Sequence, residues 1–316
     1  MIRTIRIGWR NIWRNKRRTL ISMSAVALGL ALVLIYGSVV ARFLSEAKDQ
    51  LDNTGLGHVE ITANGWREHR STKLVIADPD AVIAKLALPP TAEVGKRLLV
   101  RGLLTGAHGN AGVEVHGVDW QDEAKLADYV RHVVDGKLPA EDDAGGILIG
   151  DALAKKLQLE VGGKVRLMVQ RADGEMGADL FRVRGIYHAV SASISEHRVL
   201  VSRPALADVV GVDKNAAHDI VIQLDRAAEA KPLAIAARAR LGDGLKVDTY
   251  ADLYPMFETM EKLTGTVITL ASFFVYFLVG LGIMNTILMS VLERTRELGV
   301  MQALGTRPAG IVALIL

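Results

Sequence analysis

Two long apolar runs stand out in the hydrophobic pattern of the chain. The first covers residues 20–41 and contains no charged side chain. As a helix that rises about 1.5 Å per residue, it would be about 33 Å long, enough to cross a hydrocarbon core of about 30 Å. The second run, residues 267–292, is also uncharged and long enough to span a bilayer with some tilt. The pattern therefore predicts transmembrane helices at 20–41 and 267–292.

The charges beside the first run predict its orientation. Basic residues precede it without any acidic residue, at Arg3, Arg6, Arg10, Arg14, Lys16, Arg17 and Arg18. After it, Arg42 and Lys48 are offset by Glu46 and Asp49. Because lysine and arginine are in excess on cytoplasmic flanks, we expect the N-terminus in the cytoplasm and residues 42–266 outside. The chain after residue 292 then returns to the cytoplasm.

A cleaved signal peptide is the alternative interpretation of this N-terminus. The apolar stretch is longer than a signal-peptide core, which has about 7–15 residues. The sequence Val39-Val40-Ala41 followed by Arg42 also makes a poor cleavage site. A spanning helix is therefore the preferred interpretation.

The leader before the first run is amphipathic. Its apolar side chains recur on one helical face, at Ile2, Ile5, Trp9, Ile12 and Trp13. Arginines on the other face are typical of a helix that lies along a membrane surface with tryptophans at headgroup level. We expect residues 1–19 to form such a basic helix on membrane lipids, anchored by Trp9, Arg10, Trp13, Arg14, Lys16, Arg17 and Arg18. A charge cluster that only sets topology is the alternative.

A third apolar run begins after Pro308 and covers residues 309–316. Eight residues are too few to cross a bilayer. We therefore expect this run to be the start of a third span, and the chain to be a fragment of a longer protein.

The region between the first two runs has mixed strand and helix patterns. Residues 57–62 and 113–118 alternate as strands do, whereas 78–88 has an acidic start and helical apolar spacing. We expect residues 42–266 to form a large α+β domain outside the membrane.

This domain is expected to have two subdomains and two stalks. One subdomain would combine 51–107 with 218–250, and the other, 108–217, would be inserted between these segments. Residues 42–51 and 254–266 would be helical stalks that lead to the spans.

Composition limits the chemistry that the chain can perform. Half of the residues (50%) are apolar and the mean hydropathy is +0.25, whereas the net charge of only +3 gives no basic surface for nucleic acid. There is no cysteine, and no P-loop, H-E-x-x-H or G-x-S-x-G motif occurs. The eight histidines have no zinc-site spacing. We expect no cofactor, no metal and no enzymatic activity in this chain by itself.

The segment after the second run is short and charged. It reads E-R-T-R-E-L-G-V-M-Q-A-L-G over residues 293–305, and as a helix it would carry Leu298, Met301 and Leu304 on one face. Glycines at positions 299 and 305 permit close approach or a chain break. A short charged helix between two spans is suited to docking in a groove of another protein, and an ordinary topogenic loop is the alternative.

Several motifs together resemble one family. The pattern E-R-x-R-E-x-G-x-x-x-A-L-G of residues 293–305 is similar to the FtsX-like permease signature, and residues 10–19 look like the opening R-N-x-x-R-N-x-x-R-T of this family. Residues 57–61 resemble the G-H-x-x-I of its lipoprotein-releasing members. Residues 149–163 are similar to I-G-x-x-L-A…L-x-V-G-D, with Gly163 where an aspartate is usual. The chain thus resembles FtsX-like and MacB-type ABC transporter permeases, and most closely the LolC/LolE branch.

The resemblance implies a four-span, multi-pass subunit in a bacterial inner membrane. A separate ABC ATPase would hydrolyse ATP, and motion would pass through the stalks to the outer domain, which is called mechanotransmission. The coupling helix 293–305 would dock on that ATPase through Glu293, Arg294, Arg296, Glu297, Leu298, Gly299, Leu304 and Gly305. The subunit would pair with a second copy or a paralogue. The implied cargo is a lipoprotein or another lipid-linked molecule, handled with or without a periplasmic partner.

Other functions stay open from the sequence. MacB-like export of peptides or antibiotics and FtsX-like control of cell-wall hydrolases fall within the same family. A two-span membrane sensor is a different class of protein. It would need a signalling module after the second span, and the residues after 292 do not look like one.

Overall fold

The structure is a computed structural model that describes residues 16–305 and residue 310. It contains two compact units: Ser45–Pro255, and the segments on either side of it, within Met1–Leu44 and Met256–Leu316. Part of the predicted leader helix lies outside the described residues, including Trp9, Arg10, Trp13 and Arg14. The predicted third apolar segment also lies outside them, apart from Gly310.

The Ser45–Pro255 unit is built on a ten-stranded sheet. Most of its strands have either alternating or continuously buried apolar residues, as expected for strands buried on one face or on both. The strands are β1 (Val59–Ala63), β2 (Glu93–Gly106), β3 (Gly109–Val118), β4 (Val133–Gly136), β5 (Gly146–Gly150), β6 (Lys164–Gln170), β7 (Met176–Tyr187), β8 (Arg198–Ser202), β9 (Asp219–Gln223) and β10 (Leu245–Thr249).

Helices precede, connect and follow these strands. Those that lead into the sheet or lie between its strands are α1 (Lys16–Asn53), α2 (Trp66–His69), α3 (Pro79–Lys85), α4 (Trp120–Leu126), α5 (Asp128–Arg131), α6 (Asp151–Leu157), α7 (Ala192–His197), α8 (Arg203–Val210) and α9 (Ala230–Leu241), which follows the 3₁₀ turn Ala227–Glu229. Those that follow the sheet are α10 (Tyr250–Leu253), α11 (Pro255–Glu293) and α12 (Thr295–Ala303). The α+β prediction for the central region is confirmed.

Six strands form a closed ring of hydrogen-bonded neighbours. The order is β2–β3–β8–β5–β7–β6 and back to β2, with parallel pairing between β3 and β8 and between β5 and β7. Closure leaves these strands without a free edge for another chain to pair with. All six strands contribute to the largest apolar cluster, together with side chains of α6 and α8.

Strands β1, β9 and β10 form an antiparallel sheet with β2 in the order β10–β1–β9–β2, whereas β4 pairs with β7 at the edge of the ring. Helices α3 and α9 cover the antiparallel sheet and bury a second apolar cluster, which includes Ile61, Ile222 and Ala234. Strand β2 belongs to both parts, because Arg97 pairs with Asp219 of β9 and the next residue, Leu98, pairs with Gly117 of β3. The predicted insertion boundary at residue 108 therefore follows β2, whereas the ring already includes β2 from Leu98 onwards.

The second unit contains the apolar parts of α1 and α11, which contact each other through glycines. A Cβ atom added at Gly29 would lie 3.6 Å from Val275 Cγ2, and one at Gly37 would lie 3.6 Å from Ile268 Cδ1. The contact positions rise along α1 and fall along α11, so the helices are antiparallel. Small residues that let two helices approach closely are typical of helix contacts in membranes.

Among the described residues, one helical segment is long and apolar enough to cross a membrane, Lys262–Glu293, whose most apolar window has a mean hydropathy of 2.3. It contains the predicted second span. The described apolar part of α1, Ala27–Phe43, is shorter. The predicted first span, 20–41, therefore stays a prediction, although it lies entirely within α1.

Our first prediction concerns Gly57, at the turn into β1. Its φ is +67°, and an added Cβ would lie 2.3 Å from Val221 Cγ1 and 3.1 Å from Ile222 O. Gly57→Ala should therefore lower the free energy of unfolding by about 2 kcal/mol or more. Urea unfolding of the full chain in detergent, followed by tryptophan fluorescence, measures this loss. Gly112→Ala is the control, since an added Cβ there has nothing within 4 Å; equal losses in both variants would contradict the prediction.

Our second prediction concerns His218, which is fully buried. Nδ1 accepts a hydrogen bond from the Leu99 N–H (3.0 Å), and Nε2 is 3.2 Å from Thr72 O, so the neutral ring satisfies both neighbours. Burial, and then the charge of Arg70, lower the pKa of His218 from 6.5 to about 4, against an opposing hydrogen bond to Thr72.

The unfolded chain takes up a proton at this histidine below about pH 6.5, while the folded chain stays neutral until about pH 4. The protonation of His218 therefore leaves the free energy of unfolding unchanged above pH 6.5 and lowers it by about 3 kcal/mol as the pH falls to 4. His218→Gln should reduce the pH dependence of the unfolding midpoint, whereas His108→Gln, at an exposed position, should leave it as in the wild type. An unchanged dependence in His218→Gln would disprove the assignment.

Candidate functional site

The predicted coupling segment forms a helix that is separate from α11. Arg294 lies between them with φ −109° and ψ 12°, which is not helical, and the Thr295 hydroxyl lies 3.1 Å from Val291 O and 2.9 Å from Leu292 O. The non-helical Arg294 thus separates α11, which ends at Glu293, from α12, which begins at Thr295. Gly305, with φ +92°, follows the end of the helix. Helix α12 is therefore shorter than the predicted helix 293–305.

The two sides of α12 differ in exposure. Leu298 and Met301 are half-buried, whereas Arg296 and Glu297 are exposed. Leu304 was predicted on the same face as Leu298 but is 81% exposed. The predicted residues Glu293 and Gly299 are also exposed, and Arg294 is half-buried.

Val300, an apolar residue on the exposed side of α12, was not among the predicted site residues. Val300 is 59% exposed and lies four residues before Leu304, so the two side chains are neighbours on the helix surface. Its spacing from Leu304 was visible in the sequence, but its exposure was not. Two exposed apolar side chains next to Arg296 and Glu297 form a surface that can pack against a partner and pair with its charges.

The predicted membrane anchor is described only in part. Lys16, Arg17 and Arg18 occupy the beginning of α1, and the rest of the predicted anchor lies outside the described residues.

The Gly57–His58 element, which resembled the lipoprotein-releasing branch, is buried in the domain. His58 is 4% exposed, and its ring Nδ1 accepts a hydrogen bond from the Leu224 N–H (3.0 Å). The backbone N–H of His58 donates to Ile222 O (2.9 Å). Its ring lies edge-on to Tyr250 at 6.2 Å. His58 therefore fastens β1 to the end of β9 and to α10, and its side chain is not on a surface that could touch cargo.

A polar cavity of about 430 Å³ lies in the Ser45–Pro255 unit, beside the position where β2 changes partner. Its walls come from β1, β2, β3, β6, β8 and β9, from α2 and the chain after it, and from the segments after α1 and before α11. The charged residues that line it are Glu60, Arg67, Arg70, Arg97, Arg101, Glu114, Arg198 and Asp219. Its volume falls within the range of small-molecule sites. Sequence reasoning did not find it, because its walls come from segments far apart in the chain.

One wall of the cavity carries a buried ion pair. Arg97 Nε and Nη2 donate to the two carboxylate oxygens of Glu123 in α4, each at 2.8 Å, and the two side chains are 5% and 2% exposed. Burial by itself lowers the pKa of Arg97, but the charge and hydrogen bonds of Glu123 outweigh burial and raise this pKa above its ordinary value. The pair ties α4 to β2 at the position where β2 changes partner.

Among the described residues, no group of three His, Asp or Glu side chains is arranged to hold a metal ion.

Two family models match the chain. The one described as "MacB-like periplasmic core domain" matches residues 19–240, and the one described as "FtsX-like permease C-terminal" matches residues 269–316.

The curated relatives that are similar to the chain include a LolC protein and three PvdT proteins. The chain is 22% identical to "Lipoprotein-releasing system transmembrane protein LolC" of Neisseria meningitidis, over 98% of this chain and 76% of that protein. It is also 22% identical to "Pyoverdine export ATP-binding/permease protein PvdT" of Pseudomonas aeruginosa, over 99% of this chain and 47% of that protein. The chain thus spans about half the length of the PvdT proteins that it matches.

Several solved structures are similar as well. The periplasmic region of MacB from Actinobacillus actinomycetemcomitans aligns with a TM-score of 0.45 and 13% identity, over 66% of this chain and 95% of that one. The extracellular domain of the ABC-type transporter YknZ from Gram-positive bacteria aligns with a TM-score of 0.44 and 15% identity, over 61% of this chain and 100% of that one.

Our third prediction concerns the buried ion pair. Arg97→Met should lower the free energy of unfolding by about 3–5 kcal/mol, because it leaves the Glu123 carboxylate buried without its partner. Urea unfolding of the full chain in detergent measures the loss. The double variant Arg97→Met/Glu123→Gln should recover part of it, since the unpaired charge is gone. A double variant less stable than Arg97→Met would contradict this account of the pair.

Proposed function

Since the chain belongs to the FtsX-like and MacB-type family of ABC transporter permeases, we propose that it couples ATP hydrolysis by a separate ATPase to work done by its MacB-like domain. Membership confirms the family resemblance that the motifs predicted. The observation that carries the proposal is the order of parts: a MacB-like domain, an apolar helix long enough to span a membrane, and then a short charged helix.

In the proposed topology, the chain crosses the bacterial inner membrane at 20–41 and 267–292, with its N-terminus in the cytoplasm. Helix α12 then lies on the cytoplasmic side, where an ATPase could bind it. Its exposed side combines Arg296 and Glu297 with Val300 and Leu304, a mixture of charged and apolar groups that suits a protein interface.

The two long helices are the proposed route for motion. Helix α1 is continuous from Lys16 to Asn53, and α11 is continuous from Pro255 to Glu293. Each thus extends beyond its predicted span into the predicted stalk without a loop. A continuous helix transmits a displacement along its axis better than a flexible linker does, because its backbone hydrogen bonds resist stretching and bending.

A second permease copy or a paralogue is the proposed membrane partner. The outward side of α11 carries large exposed aromatic side chains, Phe273, Phe274, Tyr276 and Phe277. This surface suits contact with membrane lipids or with the spans of another subunit.

The proposed cargo is a lipoprotein or another lipid-linked molecule. The similarity to LolC supports it, since it extends over 76% of that protein. The buried position of His58 means that the Gly57–His58 element supports family membership rather than cargo contact.

Small-molecule export is the second candidate. Three PvdT proteins match almost the whole chain at 22–24% identity, and their printed name is pyoverdine export. Release of a lipoprotein from membranes and efflux of a soluble compound would distinguish the two candidates when assayed in a strain that lacks this protein.

Our fourth prediction tests the coupling helix. Glu293→Lys/Arg296→Glu/Glu297→Lys in the full chain should abolish or strongly reduce co-purification of an ATPase from native membranes, because reversed charges repel their former partners. The amount of ATPase that co-purifies and its ATP turnover are the measurements.

The matched control reverses exposed charges of the same signs on the MacB-like domain, Glu160→Lys/Arg166→Glu/Glu175→Lys. This variant should retain the ATPase. If the coupling variant retains the ATPase and its turnover as the control does, these three residues are not the docking site.

A further inference from the structure

Five guanidinium groups and three carboxylates line the polar cavity beside β2. Two of its five arginines have acidic partners: Arg97 binds Glu123, and Arg67 Nη2 lies 2.6 Å from Glu60 Oε1. The other three are Arg70, Arg101 and Arg198. Within the part of the chain that the structure describes, no carboxylate lies within 4.0 Å of these three guanidinium groups.

Aromatic and backbone contacts hold two of these arginines in place. The Arg70 guanidinium lies 4.5 Å from the centre of the Trp66 ring. Arg198 Nη1 is 3.2 Å from the Tyr129 hydroxyl and 3.3 Å from Thr54 O. Such contacts fix the direction of a guanidinium group but leave its charge uncompensated.

Five buried polar atoms of the cavity lining lack a hydrogen-bond partner among the described residues: Arg67 Nε and Nη2, Asp219 Oδ1, Arg198 Nε and His116 Nδ1. The two Arg67 atoms lie near the carboxylates of Asp248 and Glu60, whereas no ion pair within 4.0 Å in the described part of the chain involves the other two nitrogens, Arg198 Nε and His116 Nδ1. The whole His116 residue is only 8% exposed. Buried polar groups are nearly always paired, and an unpaired one costs about 1–3 kcal/mol. Both atoms therefore indicate that a ligand completes the site.

The charges around His116 are positive. Burial, and then the charges of Arg198, Arg97 and Arg70, lower its pKa well below 6.5. The ring is therefore neutral at pH 7. A neutral imidazole with its proton on Nδ1 can donate a hydrogen bond without adding to the repulsion among the arginines.

Three carboxylates also line the cavity and reduce its positive charge. Glu60 is paired with Arg67, and Glu114 faces Arg101 across the β2–β3 ladder. Burial, followed by the charge of Glu60, raises the pKa of Asp219 well above its ordinary value, and Arg97 and Arg67 oppose this rise. None of the three carboxylates lies within 4.0 Å of the Arg70 or Arg198 guanidinium group.

We propose that this cavity binds a phosphate group, held by the guanidinium groups of Arg198 and Arg70 and by the His116 ring. A planar guanidinium offers parallel N–H donors that match the oxygens of a phosphate. The cavity is larger than a phosphate group alone and has room for the molecule that carries it. That molecule is either a soluble phosphate ester or the headgroup of a phospholipid. Leu56 and Tyr254, on the chain segments after α1 and before α11, line the same cavity.

The test uses the full chain and inorganic phosphate as the probe. Calorimetric titration at pH 7 in an uncharged detergent should detect binding by the wild type. Arg70→Gln and His116→Asn should each weaken binding, and Arg198→Gln should weaken it about tenfold or more, because each removes a donor to a charged group. The control is Arg166→Gln, at an exposed arginine of β6 that is not among the residues lining the cavity, and it should bind as the wild type does.

A second arm identifies the source of the phosphate. The titration is repeated in nanodiscs of phosphatidylcholine with and without phosphatidylglycerol. Weaker phosphate binding in the presence of phosphatidylglycerol assigns the site to an anionic headgroup, and unchanged binding assigns it to a soluble phosphate ester.

The proposal is overturned if the wild type binds no phosphate in detergent, or if Arg70→Gln binds as tightly as Arg166→Gln. Arg70 is exposed, so its replacement keeps the test valid even if Arg198→Gln fails to fold. The readout needs no ATPase, so the result is independent of the proposed transport function.

Discussion

The fold depends on a change of partner within a single strand. Strand β2 pairs with β9 as far as Arg97 and with β3 from Leu98, so the same backbone is part of the antiparallel sheet and of the closed ring. The Arg97 carbonyl accepts a hydrogen bond from the His218 N–H (2.8 Å), and the Leu99 N–H donates to the His218 ring. The Arg97 side chain is bound to Glu123 of α4. Buried hydrogen bonds from two other elements therefore fix the place where β2 leaves one sheet and enters the other.

The cavity follows from this arrangement. Residues alternate between the two faces of β2, so Leu98 and Val100 enter the ring core while Arg97 and Arg101 face the other way. The same alternation in β3 brings Glu114 and His116 to the cavity, opposite Arg101 and Leu99 in the ladder. Polar residues that would lie in water on an isolated sheet become walls of a cavity, because β1, β9 and α2 cover this face.

The two units reflect different physical constraints. The Ser45–Pro255 unit buries apolar clusters drawn from residues far apart in the chain. The apolar parts of α1 and α11 instead keep most of their large side chains exposed and touch through small residues. Exposed apolar side chains on a long helix are unfavourable in water and suit a lipid environment, so this unit agrees with the membrane assignment of the family.

The sequence by itself determined the features that depend on local pattern. Apolar run length predicted the helix that contains 267–292, alternation predicted strands such as β1 and β3, and the motif at 293–305 indicated the family. The alternation at residues 57–62 did not indicate that Gly57 has a positive φ with no room for a Cβ atom, or that His58 is buried. The exposure of individual residues in α12 was not apparent from the sequence either, because the helical period alone predicted Leu304 on the same face as Leu298. Only the tertiary structure decided the ring, the shared strand β2 and the arginine-lined cavity, because strand pairing joins segments that are distant in the chain and have no local signal for their partners.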